Sequence, residues 1–216
     1  DVMTRCCIYA FDLDGTLLQG NSSWKFYRYA LLHRLFPYKS VPKCVARFLG
    51  FKFFFFLDLP SLYTQIVNHL FVNVSQDSLY SCARDFVDSL TTKDFYAPAI
   101  EGLEEAFNAP NSQVILFSSS PDFIVGPIAE RLGIQLWYAS SYQKESAERL
   151  IQNKCLTGEK KARILSYLKK ICQARSHTFS DHILDLPFLL LGEEKTVIRP
   201  RGQLKKMAKK CYWNII

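Results

Sequence analysis

Apolar positions along this chain follow two different periods, and the boundary between them divides it. Residues 5–11 form an apolar run, Ile8 to Phe11 at its heart, that stops at Asp12-Leu13-Asp14-Gly15-Thr16. Such a run reads as a buried strand, broken by Gly-Thr. A polar hinge follows, Gln19-Gly20-Asn21-Ser22-Ser23, in which Ser22 or Ser23 can cap a helix over 24–36 that Pro37 ends. From there to about residue 100 the spacing is helical. Pro42 and Pro60 can each open a helix, and Leu79, Cys82, Ala83, Phe86 and Leu90 mark one over 75–90, with Ser75 as its cap.

Beyond Pro98 strands and helices alternate. Helices are expected over 98–107, 122–132, 160–171, 185–191 and 203–210, and strands over 113–117, 134–139, 177–179 and 195–198. Alternation of this kind implies a parallel sheet with right-handed crossovers. The fold class is therefore α/β: a Rossmann-like parallel-sheet core, residues 1–18 and 96–216, with an α-helical cap, residues 19–95, inserted after the first strand.

Composition narrows the picture. The 216 residues suffice for one sizeable core with an inserted module, and 49% apolar against 22% charged residues exclude a disordered chain. The net charge of +7 suits anionic partners, but no nucleic-acid-binding pattern accompanies it, so a small phosphorylated substrate or an anionic lipid surface is expected to account for it and nucleic acid is not. The seven cysteines are odd in number and form no Cys-x-x-Cys pair, which points to a reducing, cytoplasmic setting rather than a disulfide framework or zinc site. The opening residues predict no secretory leader. Phe48, Phe51, Phe53, Phe54, Phe55 and Phe56 crowd one stretch of the insert, too short to span a bilayer; cap packing or a pocket favouring an apolar leaving group would each use them. Lys205, Lys206, Lys209 and Lys210 read as a solvated helix face, with weak contact to a lipid surface as the alternative. Oligomeric state is not legible.

Candidate chemistry sits at the strand ends. Asp12 and Asp14 repel one another unless they share a proton or a cation, and a hard ion such as Mg²⁺ meets that need with oxygen ligands. One of them can also attack phosphorus. The run 114–118 ends in Ser118 just before a helix, where its hydroxyl and the N–H groups of Ser119 and Ser120 can hold an anion. Asp181 and Asp185 close another strand.

Asp12-Leu13-Asp14-Gly15-Thr16 resembles the first motif of the haloacid dehalogenase superfamily of phosphatases and phosphotransferases. Three further stretches, in the right order, are similar to its other motifs. Phe117-Ser118-Ser119-Ser120-Pro121 resembles the Ser-Ala-Ser-Pro run of a branch that includes phosphoserine phosphatases; Gly158…Lys161…Leu165 resembles its lysine motif; Asp181…Asp185 resembles its fourth. The resemblance implies Asp12 as nucleophile, Asp14 as general acid and base, and Ser118, Ser119 and Lys161 (or Lys160) on the phosphate. It also implies Mg²⁺ on Asp12, the Asp14 carbonyl and Asp181, with Asp185 holding a metal-bound water or Lys161. The expected activity is Mg²⁺-dependent hydrolysis of a small phosphomonoester through an aspartyl-phosphate. A phosphotransferase or mutase, or a weakly catalytic phosphate-binding protein, is the alternative, since Ser180 and His182 flank Asp181 where the superfamily usually has Gly and Ser.

Overall fold

The computed structural model of the chain describes residues 6–36, 38, 74–146 and 149–216. Its centre is strand β1 (Cys7–Asp12), and the sheet order is β4-β3-β2-β1-β5-β6-β7. The other strands are β2 (Ser112–Pro121), β3 (Leu136–Ser146), β4 (Arg149–Lys154), β5 (Arg175–Ser180), β6 (Glu194–Val197) and β7 (Asn214–Ile215). Six strands run parallel, and β4 alone is antiparallel, paired to β3.

Strand alternation separates the two faces of this sheet. Phe11, Val114 and Leu116 face one core; Ile8, Ala10, Ile115 and Phe117 face the other. The first core is covered by α2 (Gln76–Ser89), α3 (Ala97–Asn108) and α4 (Asp122–Arg131), the second by α5 (Gly158–Cys172) and the short α6 (Leu186–Leu189). Helix α7 (Gly202–Lys210) lies against β6 through Leu204, Ala208 and Val197. Both faces being buried explains why β1 and the first half of β2 read as continuous apolar runs.

The insert begins with α1 (Ser22–Leu32), whose Phe26 packs edge-on against Phe86 of α2 and Phe123 of α4. Where the chain leaves and re-enters the core, its two passages are stitched together. Tyr96 N–H donates to the Leu17 carbonyl at 2.9 Å and Gln19 N–H to the Asp94 carbonyl at 2.8 Å, while Lys25 pairs with Asp94. The Phe-rich stretch expected in the insert lies outside the described residues. Among those described, no helix is long and apolar enough to cross a membrane.

Several expectations are corrected. Asn21, not Ser22 or Ser23, caps α1, its side chain accepting from Trp24 N–H at 2.8 Å; the two serines point inward instead. Helix α1 is shorter than 24–36 implied. The strand expected at 134–139 starts at Leu136 and runs on to Ser146 before β4 pairs with it. Polar residues fill that extension, and edge pairing by main-chain hydrogen bonds leaves no apolar alternation to read. Strand β2 likewise continues past Phe117 to Pro121, with a register shift against β3 in between.

Candidate active site

Chain order moves outward from β1 through β2 and β3, then returns on its other side with β5. Ligands bind in the crevice at such a reversal, beyond the carboxyl ends of the strands. Asp12 ends β1, Ser118 lies near the end of β2, and Asp181 directly follows β5, so three of the sequence motifs meet there.

Asp12 is 5% exposed. Its Oδ1 accepts from Lys161 Nζ at 2.6 Å and its Oδ2 from Thr16 Oγ1 at 3.3 Å. Lys161 Nζ also donates to Asp185 Oδ2 at 2.8 Å, which takes a further hydrogen bond from Ser180 Oγ at 3.0 Å. Of the two candidate lysines only Lys161 reaches the carboxylates; Lys160 is exposed and donates to the Cys155 carbonyl. The bare Gly158 allows this approach, because a Cβ there would strike the Leu184 carbonyl and lift α5 off the loop that carries Asp185. Asp185 thus holds Lys161, one of the two roles open to it.

Asp14 is held by a different set. Its Oδ1 accepts from Ser22 N–H at 2.5 Å, at the first turn of α1, where the helix dipole favours a carboxylate. Its Oδ2 accepts from Ser120 Oγ at 2.5 Å and lies 3.4 Å from Ser118 Oγ. Ser22 Oγ and Ser23 Oγ both lie 2.9 Å from Ser120 Oγ. Sequence reasoning named Ser118 and Ser119 but gave Ser120 only a backbone role. Continuing the two-residue period of β2 past Phe117 would have found it: Ser118 and Ser120 are buried, while Ser119 is exposed with its hydroxyl on the Leu156 carbonyl at 2.6 Å. The Ser120 N–H is already spent on Ser118 Oγ at 3.0 Å, which leaves Ser119 N–H as the amide open to an anion. Thr16 and Arg199 also escaped the sequence reading. Arg199 stacks on the Tyr96 ring, 4.2 Å from its centroid, and donates to the Gly15 carbonyl at 3.3 Å. His182 is exposed, its Nδ1 accepting from Leu184 N–H, and it lies close enough to Asp181 to draw that carboxyl down against its burial.

The electrostatics favour a cation. Burial is the largest influence on Asp12 and pushes its carboxyl well above the usual range, with Lys161 pulling the other way. Burial alone would lower Lys161, yet the charges of Asp12 and Asp185 outweigh it and hold the ammonium above its ordinary value. Burial also raises Asp181, and the charges of Asp185 and Asp14 add to it. Two carboxylates, Asp12 and Asp185, thus hold the one buried ammonium, and Asp181 Oδ1 is a buried oxygen with no hydrogen-bond donor among the described residues. Gly15, at φ +80°, lets the loop press on that carboxylate, since a Cβ would overlap it. Among the described residues no three acidic, His or Cys side chains converge as a ready metal cage. The implied set needs only two, Asp12 and Asp181, with the Asp14 carbonyl, and Mg²⁺ commonly completes its shell with water. The residues present fit that ion. An open groove of about 690 Å³ between α2 and α4, lined by Tyr80, Arg84, Phe123 and Trp137 among others, includes none of these groups.

Known proteins share this architecture. A Bordetella pertussis Tohama I protein of unknown function superposes with a TM-score of 0.82 at 19% identity, over 99% of both chains. A probable phosphoserine phosphatase from Vibrio cholerae, unliganded, gives 0.69 at 13% identity, over 99% of this chain and 61% of that one. A phosphoserine phosphatase captured as an analogue of its phospho-aspartyl intermediate gives 0.66 at 17%, over 98% and 93%. At such identities the likeness is one of fold. No curated protein sequence matches the chain. The sequence pattern of the haloacid dehalogenase-like hydrolases, however, matches residues 9–190, from β1 through α6. The chain belongs to the haloacid dehalogenase-like hydrolase family and has a phosphoserine-phosphatase-like fold.

Proposed function

We propose that this hydrolase is a Mg²⁺-dependent phosphatase that cleaves a small phosphomonoester through an aspartyl-phosphate on Asp12. The observation that carries the reading is the pairing of a buried nucleophile with a buried cation: Asp12 and Lys161 at 2.6 Å, beside a serine anion site at the end of β2. Asp12 Oδ forms a bond to phosphorus as the bond from phosphorus to the leaving oxygen breaks, and Asp14 gives that oxygen its proton. Asp14 then takes a proton from water, whose oxygen displaces Asp12 and releases phosphate. Lys161 spends two of its three N–H donors on Asp12 and Asp185, so the third remains for a phosphoryl oxygen. Ser118 Oγ and the Ser119 N–H serve the other oxygens. Held by Asp12, the Asp14 carbonyl and Asp181, Mg²⁺ would offset the charge gathering on the transferred group.

The stitched passages at Leu17–Gln19 and Asp94–Tyr96 support a boundary between core, residues 1–18 and 96–216, and cap, residues 19–95. Because Ser22 N–H and the Ser22-Ser23-Ser120 cluster grip Asp14, the start of the cap sets where the acid points. Among the described residues Cys6, Cys7, Cys82, Cys155, Cys172 and Cys211 are all free, which suits a reducing, cytoplasmic setting.

Phosphate release from a panel of phosphomonoesters tests the reading. Wild type should turn over with Mg²⁺ and stop in chelator. Asp12→Asn should stay folded and lose activity by more than the 10²–10⁴-fold typical of a missing general acid, roughly. Turnover in chelator, or a near wild-type Asp12→Asn, would refute it.

A further inference from the structure

The charge of this protein is unevenly placed. Residues 199–216 hold six basic residues, Arg199, Arg201, Lys205, Lys206, Lys209 and Lys210, and no acidic one, so nearly the whole net charge of +7 resides there. Acidic residues gather elsewhere, as with Glu101, Glu104 and Glu105 on α3. A molecule so polarised turns its basic side toward a negative surface.

Helix geometry concentrates the effect. Leu204 and Ala208 are buried against β6, which fixes the inner face of α7. At about 100° per residue the four lysines then fall on the opposite arc, and all four are exposed. None of them forms a salt bridge with an acidic group among the described residues.

Exposed apolar side chains occur on the elements around α7. Tyr212, two residues beyond the helix, is 95% exposed and held at φ +54°. Ile215 on β7 is 39% exposed. Leu190, 53% exposed, follows Leu189, which packs against Leu204 and Ala208. A lysine face with a fully exposed Tyr just past the helix end matches the headgroup boundary of a bilayer, where ammonium groups meet lipid phosphates and rings settle at the interface. A duplex nucleic-acid backbone would reward the lysines but not the exposed Tyr212 ring.

We infer that the outward face of α7, together with Tyr212, docks the protein on an anionic lipid bilayer. Arg199, three residues before α7, touches the Gly15 carbonyl, so a surface bound there borders the active-site loop. The inference stands on the surface alone and does not require the phosphatase reading.

Co-sedimentation with vesicles of phosphatidylcholine, with and without phosphatidylglycerol, tests it. The protein should bind only the anionic vesicles and release in about 1 M salt, where the screening length falls to about 3 Å. Each lysine near such a surface is worth about fivefold in affinity, so Lys205→Gln/Lys206→Gln/Lys209→Gln/Lys210→Gln should bind several-hundred-fold more weakly, on the order expected for four charges. Circular dichroism of that variant should be unchanged, since all four side chains lie in solvent. Tyr212→Ser keeps the charge and should weaken vesicle binding while leaving retention on duplex DNA unaltered. No binding to anionic vesicles at low salt, or undiminished binding by the quadruple variant, would overturn the inference. So would tighter binding to duplex DNA than to vesicles, which would assign the face to nucleic acid.

Discussion

Replacing Lys161 with Met should expose how this site is balanced. The ammonium is 2% exposed and bridges Asp12 at 2.6 Å and Asp185 at 2.8 Å. Removing one partner of a buried ionic group leaves uncompensated charge and costs about 3–5 kcal/mol. At about 2–4 °C per kcal/mol for a chain of this size, melting should fall by about 6–20 °C in chelator. The loss has a definite pH dependence. Without the ammonium the buried Asp12 carboxyl rises still further above its unfolded value, so the folded state binds more protons than the unfolded one and stability rises as pH falls. The deficit is then full above the variant's value for Asp12 and shrinks as pH falls toward the already raised wild-type value. Urea titrations followed by tryptophan fluorescence, in chelator at several pH values, measure it. The triple variant Asp12→Asn/Lys161→Met/Asp185→Asn should regain most of the loss, because it removes the stranded charges along with the ammonium. A single variant as stable as wild type at pH 8, or a deficit that grows as pH falls, would refute this account; an equally crippled triple variant would assign the loss to packing.

Gly15→Ala should lose more than the roughly 1–2 kcal/mol of a left-handed alanine, and should weaken Mg²⁺ binding by calorimetry, because its Cβ would displace Asp181. Gly133→Ala is the control, with φ +72° but open space around it, and it should show the backbone cost alone. Ser120→Ala removes a charge-assisted hydrogen bond from Asp14 and should lower kcat roughly tenfold to a hundredfold with little change in KM, and Ser120→Thr should restore part of it; an unchanged kcat would remove Ser120 from the positioning of Asp14. At the far end of β5, partial burial pushes Glu193 up, but hydrogen bonds from Lys169 and Ser176 N–H outweigh it and hold its carboxyl at about 2. Its contribution is present above pH 4.5, the ordinary value, and is lost as pH falls toward 2, so Glu193→Gln should differ from wild type only above that window. Being partly solvated, the pair is worth about 1 kcal/mol or less.

The chemistry of this protein is written in short, local patterns. Asp12 and Asp14 at the end of one apolar run and Ser118 at the end of another were legible because a buried parallel strand needs continuous apolar residues and presents its polar groups where they stop. The α/β class followed from the same periodicity. What residues far apart in the chain do to one another was not legible. Either Lys160 or Lys161 satisfied the sequence; only the contact of α5 with the Leu184 carbonyl, permitted at Gly158, turns Lys161 inward onto Asp12. Ser120 and Ser22, 98 positions apart, meet on Asp14 because the insert returns its first helix over the end of β2. The β3–β4 hairpin and β7 form by main-chain pairing at sheet edges, which asks little of side chains and leaves no period to detect. Local sequence specifies strands, caps and the groups they carry, because those depend on neighbours a few residues away. Which acid faces which base, and which serine turns inward, depends on distances set by packing across the whole sheet, and those exist only once the chain has folded.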